Sequence, residues 1–300
     1  MTTTLADIIA RMSGWAGASI QSAPLAGGLT NRNYRVDVNG ESFVVRICGN
    51  DTELLGVNRR HEYECNLIAA EAGVAPAVVA FLPELGCLVT RFVDGRKIPA
   101  REMRERETIR RAARAIRTLH GARAFPSHWS PFRAVADYGR AARRLACPLP
   151  ADMDELLAHA AQIEHALYAL GPPQLVPCHN DLLNENFLDD GRIRVIDYEY
   201  SAMGDPFFDL ANFSAHHAFD AEHDAWLLES YFGAAEPGSP LRAARLQQMK
   251  IISNLREALW GVVQIKLSQL DFNYQAYAAD WFARYRAARS GSAGGNSGRP

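Results

Sequence analysis

The chain of 300 residues is expected to fold as an α+β protein of two lobes, a small antiparallel sheet followed by a mainly helical part. Three observations predict this. Asn39-Gly40 lies between two alternating segments, Asn33–Val38 and Ser42–Ile47, which is a two-residue hairpin signal because both turn positions tolerate positive φ. Beyond Pro99 the pattern becomes helical. Between the later helices, Cys178-His-Asn-Asp181-Leu-Leu-Asn-Glu-Asn186 and Val195-Ile-Asp197-Tyr-Glu-Tyr200 set acids and an amide in loops flanking a short hairpin.

Taken in order, Leu5 to about Met12 reads as a short helix after the threonines. In the hairpin, Tyr34, Val36, Phe43 and Val45 share one face, and Asn33, Asp37, Val44 and Arg46 share the other, which is open to a polar ligand. Asn58 to Ala72 is a helix with Glu62 in its first turns and Gly73 as its stop. Strands follow near Ala77–Phe81 and Cys87–Phe92, joined by a turn holding Pro83 and Gly86. The turn-rich run Val93–Pro99 connects the lobes, so the expected division is 1–92, 93–289 and a flexible tail, 290–300, with little to bury.

Helices are expected over Arg101–Leu119, Val135–Leu145 and Met153–Leu170, ended by Pro172, Pro173 and Pro177. Ile193–Ile196 is a short strand. Asp205-Pro206 has the residues of a helix cap and first turn, opening a helix from Phe207 to about Phe219. Further helices cover Asp224–Tyr231, Leu241–Leu267 and Tyr274–Arg286.

Thirty-two basic and 34 acidic residues give a net charge of -2, so no global field selects nucleic acid or acidic lipid, and a small-molecule substrate is favoured. The five cysteines, Cys48, Cys65, Cys87, Cys147 and Cys178, lack paired metal-ligand spacing and read as reduced, mostly buried thiols. With no basic leader and no apolar run of membrane-spanning length, a cytoplasmic location without membrane insertion is expected. A homodimer is compatible with this reading.

The central motif has the parts phosphoryl transfer needs, which is positioning and electrostatics more than covalent chemistry. Asp181 is placed to contact an acceptor hydroxyl as proton acceptor or orienter. Asn186 offers a neutral oxygen to a divalent metal and Asp197 an anionic one, while Glu199 extends the metal shell or lies on the surface. Singly, each residue reads as an ordinary loop cap or strand end; their order and spacing favour the joint reading. His179 suits a structural hydrogen bond to the loop, and Asp209, near the start of its helix, could accept backbone N–H groups from it.

His179-Asn-Asp181-x4-Asn186 with Ile196-Asp197-Tyr-Glu-Tyr200 resembles the choline/ethanolamine kinase group of the protein-kinase-like family that includes aminoglycoside phosphotransferases. The resemblance runs from Leu25 to about Tyr285. It implies a protein-kinase-like fold, ATP as phosphoryl donor, Mg²⁺, and a small amino alcohol as acceptor, choline or ethanolamine first. Another cationic alcohol, such as an aminoglycoside or thiamine, and a catalytically silent nucleotide-binding protein are the alternatives.

The resemblance also implies site residues. Gly28, Thr30, Asn31 and Asn33 fall in a phosphate-covering loop, Arg46 takes the phosphate-contacting position and pairs with Glu62, and Phe92 and Val93 occupy the connection that reads adenine. Glu257, Trp260 and Gln264 lie on one helix face by spacing. Trp260 and Tyr277 match positions of the family's choline pocket, which His216 and His217 could border; Glu257 stands where many members carry another aromatic. A carboxylate there suits a primary or secondary amine as well as a quaternary one.

Overall fold

The computed structural model describes residues 3–25, 31–48, 56–169, 171–233, 239–268 and 270–294. Thr4 starts helix α1 (Leu5–Arg11) with a capping box, its side chain and that of Asp7 each accepting the other residue's backbone N–H. Strand β1 (Ile20–Leu25), which the sequence reading lacks, forms an edge of the sheet against β2 (Arg32–Val38). Asn39 (φ 51°) and Gly40 (φ 88°) turn β2 into β3 (Glu41–Ile47).

The register opposes Val36 to Phe43, Tyr34 to Val45 and Asn33 to Arg46. Val36, Phe43 and Val45 are buried with Ile8, Trp15 and Val89, so the apolar face is sealed and Arg46 is left on the other one. With β4 (Val78–Leu82) and β5 (Cys87–Arg91) the antiparallel order is β1-β2-β3-β5-β4. Helix α2 (Arg59–Glu71) begins at Asn58, whose side chain accepts the Arg60 and His61 N–H groups. Its Cys65, Ile68 and Ala69 join the core of the helical lobe, while the sheet and α1 share a separate core.

The connection after β5 is more ordered than a turn. Its β6 (Arg96–Lys97) pairs with β8 (Phe187–Asp189), which in turn pairs with β9 (Ile193–Val195). A second small sheet joins β7 (Val176–Cys178) to β10 (Ala202–Gly204), bringing the two ends of the acid-bearing segment side by side.

Helices α3 (Arg106–His120), α4 (Pro131–Arg144), α5 (Met153–Ala169), α6 (Pro206–His216), α7 (Ala221–Phe232), α8 (Pro240–Leu267) and α9 (Tyr274–Gly294) complete the lobe. Helix α4 starts earlier than its apolar pattern because Ser130 caps it and Pro131 takes the first turn; Asp220 does the same for α7. The expected Arg101–Leu119 helix splits into a 3₁₀ turn, Glu102–Arg104, and α3. Helix α9 runs past Arg286 to Gly294, into the segment read as tail.

Helix α8 is buried from Ile251 through Leu259. It crosses α9 at Gly261, where an added Cβ would stand 2.8 Å from a ring carbon of Tyr277, so a glycine is required for this approach. Among the described residues no helix is long and apolar enough to cross a membrane. The cysteines are all free, Cys48 half-buried and the other four buried.

Candidate active site

The loop after β7 is held by backbone hydrogen bonds to two buried side chains of α6. Asp209 accepts the N–H of His179 and of Asn180, both at 2.7 Å, and Asn212 accepts that of Leu182 at 2.6 Å. His120 lies 3.0 Å from the same Asp209 carboxylate, and Asn212 donates to the Ser253 hydroxyl at 3.3 Å. Asn180 takes φ 65° and donates its side-chain amide to the Tyr200 carbonyl at 2.9 Å, a left-handed turn that Asn tolerates. His179 donates through Nε2 to the Ile196 carbonyl at 3.0 Å, and its burial pushes its pKa down, so a neutral ring ties the two acid loops together.

Asp181 projects from this loop. Asn186 donates from Nδ2 to the Asp181 carbonyl at 2.9 Å and approaches its carboxylate at 3.4 Å, which leaves the amide oxygen of Asn186 without that duty. The Ile196 N–H bonds to the Asn186 carbonyl at 3.0 Å, so Asp197 (φ 72°) follows directly on the residue facing Asn186. Burial raises the Asp181 pKa to about 7; Arg256 opposes the rise, and Glu257 and Asp197 add to it.

On the side expected to face the nucleotide, Arg46 meets the Glu62 carboxylate and lies 2.5 Å from Asp197. Arg59 reaches Glu62 at 2.7 Å, Glu199 at 3.2 Å and the Asn31 side-chain oxygen at 3.4 Å. Burial, then the nearby Asp197, pushes the Glu199 pKa up, with Arg59 and Arg46 working against it. Asn31, Asn33, Arg46, Glu62, Asp197 and Glu199 thus converge, while Gly28 and Thr30 lie outside the described residues. The Phe92 N–H is bonded to the Ser42 carbonyl at 2.9 Å and is committed to the sheet; the Arg35 guanidinium lies 4.5 Å above the Phe92 ring. Val93 follows, half-buried, at the start of the connection.

At the opposite end of Asp181, α8 and α9 supply a dense cluster. Arg256 contacts Glu257 and lies 3.7 Å from the Asp181 carboxylate. Glu257 also accepts the Tyr277 hydroxyl at 2.9 Å and has His216 at 3.5 Å. Burial alone would raise the Glu257 pKa, but Arg256, the nearby His216 ring and the hydrogen bond from Tyr277 hold it far below the usual carboxylate range. Trp260 donates to the Tyr200 hydroxyl at 3.1 Å and meets Tyr277 edge-on, ring centroids 5.7 Å apart. Gln264 is buried two turns beyond Glu257, and His217 packs on Phe213, away from Glu257's hydrogen bonds.

Several contributors escape the sequence reading: Arg59, Asn212, Tyr200 and above all Arg256. The one local signal was a charged pair, Arg256-Glu257, inside an apolar helical run.

The acid loops suit a hard divalent cation, since Asn186, Asp197 and Glu199 offer amide and carboxylate oxygens and no thiol or imidazole. Among the described residues, two groups of His, Cys, Asp or Glu bring ligand atoms within 4.8 Å of one another, His120/Cys178/Asp209 and Asp181/His216/Glu257. In the first, Asp209 is engaged by two backbone N–H groups; in the second, the Arg256 guanidinium already supplies the positive charge.

A small antiparallel sheet over a helical lobe, with acid and amide loops between them, defines a kinase-type two-lobe fold. The model of the phosphotransferase enzyme family (APH) matches residues 22–246. A choline/ethanolamine kinase family protein from Mesorhizobium loti is 33% identical, with a TM-score of 0.81 covering 93% of this chain and 92% of that one. Protein LicA of Haemophilus influenzae is 30% identical over 210 residues, 68% of this chain and 61% of its own length. Ethanolamine kinase 2 of Rattus norvegicus is 28% identical over 302 residues, 90% of this chain and 77% of that protein. The chain belongs to the phosphotransferase enzyme family and, within it, to the choline/ethanolamine kinase group.

Proposed function

We propose that the chain transfers the γ-phosphate of ATP to the hydroxyl of a small cationic alcohol, choline or ethanolamine. The observation that carries this reading is the pair of contacts at the Asp181 carboxylate, the Asn186 amide at 3.4 Å and, at 3.7 Å, Arg256, whose partner Glu257 accepts the Tyr277 hydroxyl. Relatives with ethanolamine kinase and choline kinase names support the acceptor class.

Asp181 orients the hydroxyl and takes up its proton as the bond to phosphorus forms. Asn186, Asp197 and Glu199 would hold Mg²⁺, which when bound offsets the negative charge of the phosphates. Arg46, positioned by Glu62, exchanges its contact with Asp197 for phosphate oxygens when the nucleotide arrives. A quaternary ammonium has no N–H to donate and is met by the faces of Trp260 and Tyr277. A large polycation such as an aminoglycoside would favour a more acidic site than one built around Trp260 and Tyr277.

The test is product detection by mass spectrometry with ATP, Mg²⁺ and, in turn, choline, ethanolamine, thiamine and an aminoglycoside. Phosphocholine or phosphoethanolamine should form with the wild type, and Asp181→Ala should lower turnover by about 10²-fold or more. ATP hydrolysis with no phosphorylated acceptor in any arm would sink the reading.

A further inference from the structure

Arg256 is 1% exposed in the most deeply buried stretch of α8. A guanidinium there is tolerated only with paired countercharge. Glu257 contacts its Nη1, and Asp181 lies 3.7 Å from the same nitrogen, inside the field of the charge but beyond hydrogen-bond reach. The guanidinium also sits 4.8 Å above the Tyr200 ring.

From there the contacts close on themselves. Glu257 accepts the Tyr277 hydroxyl, Tyr277 meets Trp260 edge-on, and Trp260 donates back to Tyr200. Both Glu257 oxygens therefore have protein partners, Oε1 toward Arg256 and Oε2 toward Tyr277.

We propose that Arg256 and Glu257 form a positioning pair: Glu257 holds Arg256 off Asp181 and aligns Tyr277, and is not the counter-ion of the acceptor. This rests on the phosphotransfer reading above. Among the described residues Arg256 Nε and Nη2 have no hydrogen-bond partner and Asp181 is the other carboxylate within ion-pair distance, so a guanidinium released by Glu257 has Asp181 to turn to. Closing on Asp181 would occupy the lone pairs that receive the acceptor's proton. The cation of the acceptor is left to the aromatic rings and to Asp181 itself, so Glu257 does not pair with the acceptor's amine.

Steady-state kinetics of the full chain with choline and with ethanolamine, at saturating ATP and Mg²⁺, separate the two roles. Glu257→Gln should lower kcat about tenfold or more with acceptor KM within about threefold, and the double variant Arg256→Met with Glu257→Gln should recover part of that loss. An acceptor KM raised tenfold or more at unchanged kcat makes Glu257 the counter-ion and overturns the proposal, as does a double variant no faster than Glu257→Gln.

Should thermal unfolding show that Glu257→Gln does not fold, Arg256→Lys carries the test. It keeps the charge but lacks the planar fork, so kcat should fall with acceptor KM held, and a rise in KM alone would overturn the idea. A wild type that phosphorylates no cationic alcohol overturns the functional reading itself, a result distinct from an active wild type whose variants misbehave.

Discussion

The two sides of the cleft are built from different interactions. The Asp181 loop is pinned by neutral backbone N–H groups reaching Asp209 and Asn212, both of which are 0% exposed. The proposed nucleotide side is held by side-chain ion pairs, Arg46 with Glu62 and Asp197, and Arg59 with Glu62 and Glu199. Backbone hydrogen bonds have no alternative partner in a water-free interior, so the first arrangement stays fixed through a reaction. An ion pair can exchange one anion for another, which is what the proposed admission of phosphates requires.

Removing Asp209 is the largest way to break this contrast. Asp209→Ala strands two buried N–H groups and should cost about 2 to 6 kcal/mol in urea unfolding, at about 1 to 3 kcal/mol for each orphaned group. A loss under about 1 kcal/mol would mean that the loop is held by other contacts and that the two sides are not built differently.

Arg46→Met tests the other side. Glu62 keeps Arg59 at 2.7 Å, so the buried carboxylate is not abandoned and the stability cost should be only about 1 to 2 kcal/mol. The functional cost should run the opposite way, with the KM for ATP rising about ten- to a hundredfold in initial-rate measurements. An unchanged KM would assign Arg46 to holding the lobes together and nothing more.

How legible each side was follows from the range of its interactions. The hairpin was readable because Asn39-Gly40 states its own turn, and the α6 start because Asp205-Pro206 states its own cap. Asp181, Asn186 and Asp197 lie within seventeen residues, short enough for their order to carry meaning. The three-residue strands β7 and β10 have no pattern of their own and exist because Cys178 pairs with Ala202 across the site. Glu257 read as a candidate contact for the acceptor; that its oxygens face Arg256 and Tyr277 depends on α9 crossing α8 at Gly261, which no local spacing announces.

The smallest expected effect sharpens the comparison most. Arg59 links α2 to Glu199 in the opposite lobe at 3.2 Å and to Asn31 at 3.4 Å, with its side chain 18% exposed. Partial exposure and shared partners limit its worth, so Arg59→Ala should change stability by about 1 kcal/mol or less. Because Glu199 would lose the cation in contact with it while keeping Arg46 and the like-charged Asp197 as neighbours, ATP with Mg²⁺ should bind about threefold differently in isothermal titration, with a weaker salt dependence than in the wild type. A loss as large as that of Arg46→Met would show that the ion pairs act as one fixed unit, and the nucleotide side would then be as rigid as the loop opposite.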